Sequence, residues 1–129
     1  MTDRKNKAFR FFVSEDFIEI AADAIAVQTK KNCRFSTLRS ALETCCKRMP
    51  TNQFDADDFD VFSRTTPLEG DVRIHLNMHA AWSPRYEALK AKLSEITGKR
   101  IFDWTAIAYL LHIAVKSDLY CQAGGAFVS

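Results

Sequence analysis

The stretch Val72-Arg73-Ile74-His75-Leu76-Asn77-Met78 decides the fold of this chain, because its apolar and polar residues alternate without a break. A period of two is typical of a β-strand that buries one face and exposes the other. The sequence therefore predicts a strand whose apolar face covers a core. Because an isolated strand is not stable in water, the same pattern predicts that a second strand elsewhere in the chain pairs with it.

A second strand-like run covers residues 8–13, and two helical patterns follow each run. Helices are predicted over residues 15–31 and 36–49 in the first copy, and over Ser83–Thr97 and residues 103–117 in the second. The order strand, helix, helix therefore occurs twice, over residues 8–49 and 72–117, and a connector over residues 50–71 joins the two copies.

One intertwined domain over residues 1–129 is the expected outcome, since each copy of roughly 45 residues would be marginally stable alone. We expect residues 9–13 to pair antiparallel with residues 74–78, because the connector is long enough to return the second strand to the first. The prediction is an α+β fold, mostly α, with one two-stranded antiparallel ribbon and four main helices.

The ends of the helices set the expected alignment of the two copies. Ser14 and Ser83 are the predicted N-caps of the first helices, and Asn32 and Gly98 are their predicted left-handed C-caps. The two C-caps place the copies 66 residues apart, although the first helices align poorly at this offset. The second helices align better, with five apolar pairs on one predicted buried face: Leu38 with Trp104, Ala41 with Ile107, Leu42 with Ala108, Cys45 with Leu111, and Met49 with Val115.

Charge is distributed unevenly along the chain. Residues 1–49 carry a net +4 and residues 72–129 a net +3, whereas residues 50–71 carry a net −5. Two basic copies are compatible with binding to an anionic partner, although an ordinary solvated surface explains so modest an excess equally well. The acidic connector contains four apolar residues, which predict that it packs along the domain: Phe54, Phe59, Val61 and Phe62.

Several function classes lack support in the sequence. The four cysteines show no C-x-x-C spacing, so we expect reduced thiols, with Cys45 and Cys46 in the core. No phosphate-binding loop or nucleophile motif appears, and we expect neither an enzyme nor a bound metal or cofactor. Residues 1–7 lack the apolar run of a secretion signal, and no stretch approaches a membrane span, so we expect a cytoplasmic protein without a membrane partner.

The duplicated order of elements resembles the ribbon-helix-helix family of DNA-binding proteins. The resemblance covers roughly residues 7–117 and depends on order, spacing and duplication. It is closest to the single-chain tandem members found in relaxosomes, the assemblies that prepare DNA for conjugative transfer. It implies a monomeric pseudo-dimer that inserts its ribbon into the major groove of double-stranded DNA, with self-association on DNA and a relaxase or other relaxosome protein as further partners.

The resemblance also implies which residues contact DNA. The family's outward strand positions, which contact bases, correspond to Arg10, Phe12, Ser14, Arg73, His75 and Asn77. Its phosphate contacts at the start of the second helix correspond to Ser36 and Thr37 in the first copy. In the second copy Asp103 is the predicted N-cap at that place, and Lys99 and Arg100 would have to offset its negative charge.

Two functions of different classes follow. The first is sequence-specific DNA binding, as a relaxosome accessory, plasmid maintenance or transcriptional repressor protein. The second is a protein-interaction module, such as an antitoxin or inhibitor, that binds a protein through a helical face including Trp104, Tyr109 and the aromatic connector. The salt dependence of binding to random duplex DNA distinguishes the two, because affinity that depends on phosphate contacts falls steeply with salt.

Overall fold

A computed structural model describes residues 7–50 and 54–120 of the chain. The elements in order are β1 (Lys7–Val13), α1 (Glu15–Asn32), α2 (Leu38–Arg48), α3 (Ala56–Thr65), β2 (Val72–Met78), α4 (Ser83–Thr97) and α5 (Asp103–Lys116). The fold is α+β and mostly helical, as predicted, but the described ranges contain five helices and not four.

β1 and β2 form a two-stranded antiparallel sheet, which confirms the predicted direction of pairing. Phe9 lies opposite Leu76, so residues 9–13 pair with residues 72–76 and the register differs by two residues from the prediction. The alternation of each strand turns its apolar side chains toward the helices. The most deeply buried of these are Phe9, Val13, Leu76 and Met78.

The caps of α1 and α4 confirm two predictions and correct two. The Ser14 hydroxyl accepts a hydrogen bond from the Phe17 N–H at 3.1 Å, and Gly98 ends α4 in the left-handed region, both as predicted. The left-handed residue after α1 is Cys33, with φ 57°, and not Asn32. The N-cap of α4 is Trp82 and not Ser83, since Ser83 is already the first residue of the helix. Trp82 packs against the core.

These caps change the alignment of the two copies from 66 residues to 65. Cys33 and Gly98, the left-handed caps, lie 65 residues apart, and so do Thr37 and Phe102, the N-caps of α2 and α5. The predicted offset of 66 was therefore wrong by one. At 65, buried residues of both helix pairs coincide: Ala21 with Tyr86, Ala24 with Leu89, Gln28 with Leu93, Ala41 with Ala106, Leu42 with Ile107, Cys45 with Leu110, Cys46 with Leu111, and Met49 with Ala114.

The helices of one copy pack between the elements of the other. α1 and α2 both contact α5, α2 lies against β2, and α5 lies against β1. The buried side chains of both copies form one hydrophobic cluster, in which Leu42 and Leu111 are fully buried as predicted. Cys45 and Cys46 are also buried, as predicted, and burial raises the pKa of the Cys46 thiol to about 12. Cys121 lies outside the described residues.

The acidic connector contains the unpredicted helix, α3. Asp55 caps it by accepting hydrogen bonds from the N–H groups of Asp57 at 2.9 Å and Asp58 at 3.3 Å. Phe59 and Phe62 lie three apart on its inner face, with ring centroids 4.9 and 5.3 Å from that of Tyr109 in α5. The prediction that the connector packs along the domain is therefore confirmed, although Val61 points outward and is 50% exposed.

Gly70 lies where the chain passes from α3 to β2 against the end of β1. A Cβ at Gly70 would lie 2.6 Å from both the Ser14 Cα and the Val13 carbonyl oxygen, which are backbone atoms that cannot move aside. We therefore expect Gly70→Ala to lower the free energy of unfolding by about 1–3 kcal/mol, as overpacking does. Urea denaturation measures the loss, with Glu69→Ala as the control at an exposed neighbour. Equal stability of the two variants would contradict the close approach.

Candidate nucleic-acid interface

The outer side of the sheet presents six exposed side chains, which we call the ribbon face. They alternate with the buried strand residues, and they are Ala8, Arg10, Phe12, Arg73, His75 and Asn77. Phe12 is 59% exposed, which is unusual for an aromatic side chain on a strand that has a buried face available. Five of the six side chains were predicted to contact bases, and the structure brings these five together on one surface.

The six residues form three cross-strand pairs along the ribbon. Ala8 lies opposite Asn77, Arg10 opposite His75, and Phe12 opposite Arg73. Within residues 7–50 and 54–120, none of the side chains of Arg10, Arg73, His75 and Asn77 has a hydrogen-bond or ion-pair partner. Their donors and acceptors are therefore available to a ligand, and the face carries two permanent positive charges.

Ser14 does not belong to the ribbon face, although it was predicted to contact bases. It lies beyond the last residue of β1, where its hydroxyl caps α1 and donates to the Pro67 carbonyl at 2.5 Å. Its N–H donates to the Leu68 carbonyl at 2.8 Å. These contacts fix the segment before β2 against the end of β1, so the role of Ser14 in the structure is to hold the ribbon together.

The start of α2 holds the predicted phosphate contacts Ser36 and Thr37. Ser36 precedes the helix, and its N–H already donates to the Thr29 hydroxyl at 2.9 Å. Thr37 is the N-cap and accepts from the Ser40 N–H at 3.1 Å. Among the described residues, the N–H groups of Leu38 and Arg39 in the same turn have no acceptor, so this end of α2 favours an anion.

Lys99 and Arg100 lie in the loop between α4 and α5 and differ in what surrounds them. The Lys99 ammonium is 3.3 Å from a carboxylate oxygen of Asp60 in α3. Asp60 also accepts from Arg64 at 2.9 Å, and the hydrogen bonds from Arg64 and Lys99 lower the pKa of this carboxyl. Arg100 is exposed, with its guanidinium 5.6 Å from the centre of the Phe102 ring. Of these two residues, Arg100 is therefore the one without an acidic partner in the described ranges, whereas Lys99 shares Asp60 with Arg64.

Asp103 was predicted to be the N-cap of α5, but Phe102 holds that position without a side-chain hydrogen bond. The Asp103 carboxylate instead accepts from the Tyr86 hydroxyl at 2.6 Å and from the Lys90 ammonium at 2.9 Å. Burial alone would raise the pKa of Asp103, but the hydrogen bonds from Lys90 and Tyr86 outweigh burial and lower it. The negative charge therefore joins α5 to α4, and Lys90 offsets it.

Three residues near the interface were missed by the sequence analysis. Ala8 completes the ribbon face, and the offset of 65 would have identified it as the counterpart of Arg73. Arg34 and Phe35 lie immediately before the start of α2, where Phe35 is 96% exposed. The exposed Arg34 guanidinium next to a helix N-terminus extends the surface on which an anion is favoured.

A metal site and a membrane-spanning helix are two further features that the described ranges could contain. Across residues 7–50 and 54–120, no group of three or more His, Cys, Asp or Glu side chains is arranged to hold a metal ion. Over the same part of the chain, no helix combines the length and the apolar character needed to cross a membrane. No protein-family model, no curated protein and no solved structure matches this chain.

Proposed function

We propose that this protein binds double-stranded DNA sequence-specifically by placing its ribbon face in the major groove. The single observation that carries the proposal is an exposed two-stranded ribbon whose Arg10, Arg73, His75 and Asn77 side chains have no partners within the described residues. The major groove admits a two-stranded ribbon, and its base edges present donors, acceptors and methyl groups that such side chains can distinguish.

A tandem ribbon-helix-helix pseudo-dimer is the architecture we propose for this function. Two contacts between equivalent residues support it, since residues related by a two-fold axis touch each other only where they lie on that axis. Arg10 pairs with His75 at the centre of the ribbon, and these residues are 65 apart. Cys45 and Leu110, also 65 apart, meet between α2 and α5, where the Cys45 thiol donates to the Leu110 carbonyl at 3.3 Å.

Base recognition would be divided among the side chains of the ribbon face. Arg73 and Arg10 can each donate two hydrogen bonds to guanine, and Asn77 can bond adenine in the same bidentate way. His75 can donate or accept one hydrogen bond. Phe12 has no polar group, so its contribution would be contact with the methyl group of thymine.

The positions of Trp104 and Tyr109 give less support to the alternative, a module that binds a protein through a helical face. Tyr109 is fully buried beneath α3, where its hydroxyl donates to Asp58 at 2.8 Å, so it cannot form part of an exposed docking face. Trp104 is partly buried between the rings of Phe11 and Phe102. A cytoplasmic relaxosome role, with a relaxase as partner, is proposed through the resemblance alone, and a relaxase, toxin or partition gene beside this one would distinguish the possible roles.

Fluorescence anisotropy with a random duplex across a salt series tests DNA binding. We expect affinity to fall steeply with salt, and Arg10→Ala/Arg73→Ala to reduce both the affinity and the salt slope, because each lost phosphate or base contact removes a positive charge from the groove. Lys47→Ala/Lys92→Ala removes two exposed or half-exposed lysines outside the ribbon and is the charge-matched control. No measurable binding by the intact protein at low salt would contradict the proposal.

Lys99 and Arg100 should contribute to affinity without contributing to specificity. We expect Lys99→Ala/Arg100→Ala to weaken binding to a cognate and a scrambled duplex by the same factor, because phosphate contacts carry no sequence information. Because Asp60 already pairs with Lys99, Arg100→Ala alone should account for most of the loss. Titration of both duplexes measures the affinities. A larger loss of affinity in Lys99→Ala than in Arg100→Ala would contradict this expectation.

A further inference from the structure

The two halves of the ribbon face are not chemically equivalent. At the offset of 65, Ala8 corresponds to Arg73, Arg10 to His75, and Phe12 to Asn77. No position of the face therefore carries the same residue in both strands. One end of the ribbon presents Phe12 with Arg73, and the other presents Ala8 with Asn77.

We propose that the protein recognises a non-palindromic DNA site and binds it in one fixed orientation; this inference rests on the proposed function. A symmetric dimer presents identical ends and selects a palindrome, because the symmetry of the site mirrors that of the protein. Here the end with Phe12 and Arg73 offers a ring and a bidentate donor, which favour thymine and guanine. The end with Asn77 offers a bidentate amide, which favours adenine.

The residues that surround the ribbon also differ between the two copies. The N-cap of α2 is Thr37, a hydroxyl residue that follows the exposed Arg34 and Phe35. The N-cap of α5 is Phe102, which follows their counterparts Lys99 and Arg100 and precedes Asp103. At the Phe12 end, the acidic residues Glu69 and Asp71 precede β2, and both are exposed. Phosphate contacts on the two sides of the ribbon would therefore have unequal strengths, which also favours a single orientation.

Selection of binding sites from a library of random duplexes, with the full chain, tests the orientation. We expect a consensus without two-fold symmetry. Ala8→Arg/His75→Arg/Asn77→Phe changes only exposed residues and makes the two ends of the face chemically identical, so this variant should select a palindrome. Circular dichroism establishes that the variant is folded. A palindromic consensus for the natural protein would overturn the inference, and so would a folded triple variant that keeps the natural consensus.

Uracil in place of thymine supplies an independent test, because it removes the 5-methyl group and leaves every hydrogen-bonding group of the base in place. We expect the substitution at the thymine beneath Phe12 to weaken binding about fourfold, the amount that burial of one methyl group contributes. Phe12→Ala should bind the thymine and uracil duplexes equally. A methyl effect that Phe12→Ala retains would overturn the assignment of Phe12.

The same titrations separate this inference from the proposed function. Tight binding to a palindromic site leaves DNA binding intact and contradicts only the fixed orientation. Absence of binding to every duplex at low salt contradicts both proposals. A non-palindromic site with a methyl effect at one end alone is the result that supports both.

Discussion

Replacing Leu42 or Leu111 with alanine is expected to lower the free energy of unfolding by about 2–5 kcal/mol, the usual cost of truncating a buried leucine. Both side chains are fully buried in the cluster that α2 and α5 share. They are not equivalent positions, since Leu42 corresponds to Ile107 and Leu111 to Cys46. Each truncation therefore opens a cavity beside a different neighbour, in a domain whose whole stability is typically 5–15 kcal/mol.

Urea denaturation followed by circular dichroism measures these losses. Val61→Ala removes two methyl groups from a side chain that is 50% exposed on α3, and we expect it to change the stability by less than about 0.5 kcal/mol. The slope of the transition should stay constant across the three variants, so that the midpoint alone reports the change. If Leu42→Ala and Leu111→Ala both have the same urea midpoint as the natural protein, the result would contradict a core shared by α2 and α5.

The second large effect concerns Arg73, whose guanidinium is exposed at the end of the ribbon beside Phe12. We expect Arg73→Ala to reduce the discrimination between a cognate and a scrambled duplex by about 1–3 kcal/mol, the value of one bidentate base contact. Asn77→Ala should have an effect of similar size at the opposite end of the site. Competition titrations at one salt concentration measure the ratio of the two affinities.

Arg73→Lys separates the charge of this residue from its geometry. Lysine keeps the positive charge but cannot present the two parallel donors of a guanidinium. We therefore expect Arg73→Lys to retain binding to the scrambled duplex while losing most of the discrimination. Full discrimination by Arg73→Lys would contradict a bidentate guanidinium contact between Arg73 and guanine.

The local patterns of the sequence predicted most of the fold. The bounds of Val72–Met78 and Ser83–Thr97 agree with the prediction, because strict alternation and a serine-proline start followed by a terminal glycine are strong signals. The helix α3 was not predicted because its ten residues lie in an acidic stretch with the composition of a linker. The sequence does contain a capping residue, Asp55, and two phenylalanines at helical spacing, Phe59 and Phe62. A pattern so short does not distinguish a helix from a packed loop.

The candidate site was predicted where it depends on strand alternation and missed where it depends on tertiary contacts. Alternation placed Arg73, His75 and Asn77 on the outer face of β2. It did not indicate that Ser14 would be used to hold the segment before β2, or that Asp103 would bond Tyr86 and Lys90. Such contacts join residues that are far apart in the sequence, and local spacing carries no information about them.

The ion pair between Lys99 and Asp60 bears on how a salt titration of this protein should be interpreted. A lysine that binds a phosphate normally displaces one condensed cation into solution, and the slope of affinity against salt counts these displaced ions. If Lys99 leaves Asp60 for a phosphate, Asp60 keeps its hydrogen bond from Arg64, so the carboxylate does not need a cation in place of Lys99. The slope should therefore count Lys99 as well as Arg100, whereas the free energy needed to break the ion pair lowers the affinity that Lys99 contributes. A salt series would then detect a phosphate contact of Lys99 that the affinity loss of Lys99→Ala alone understates.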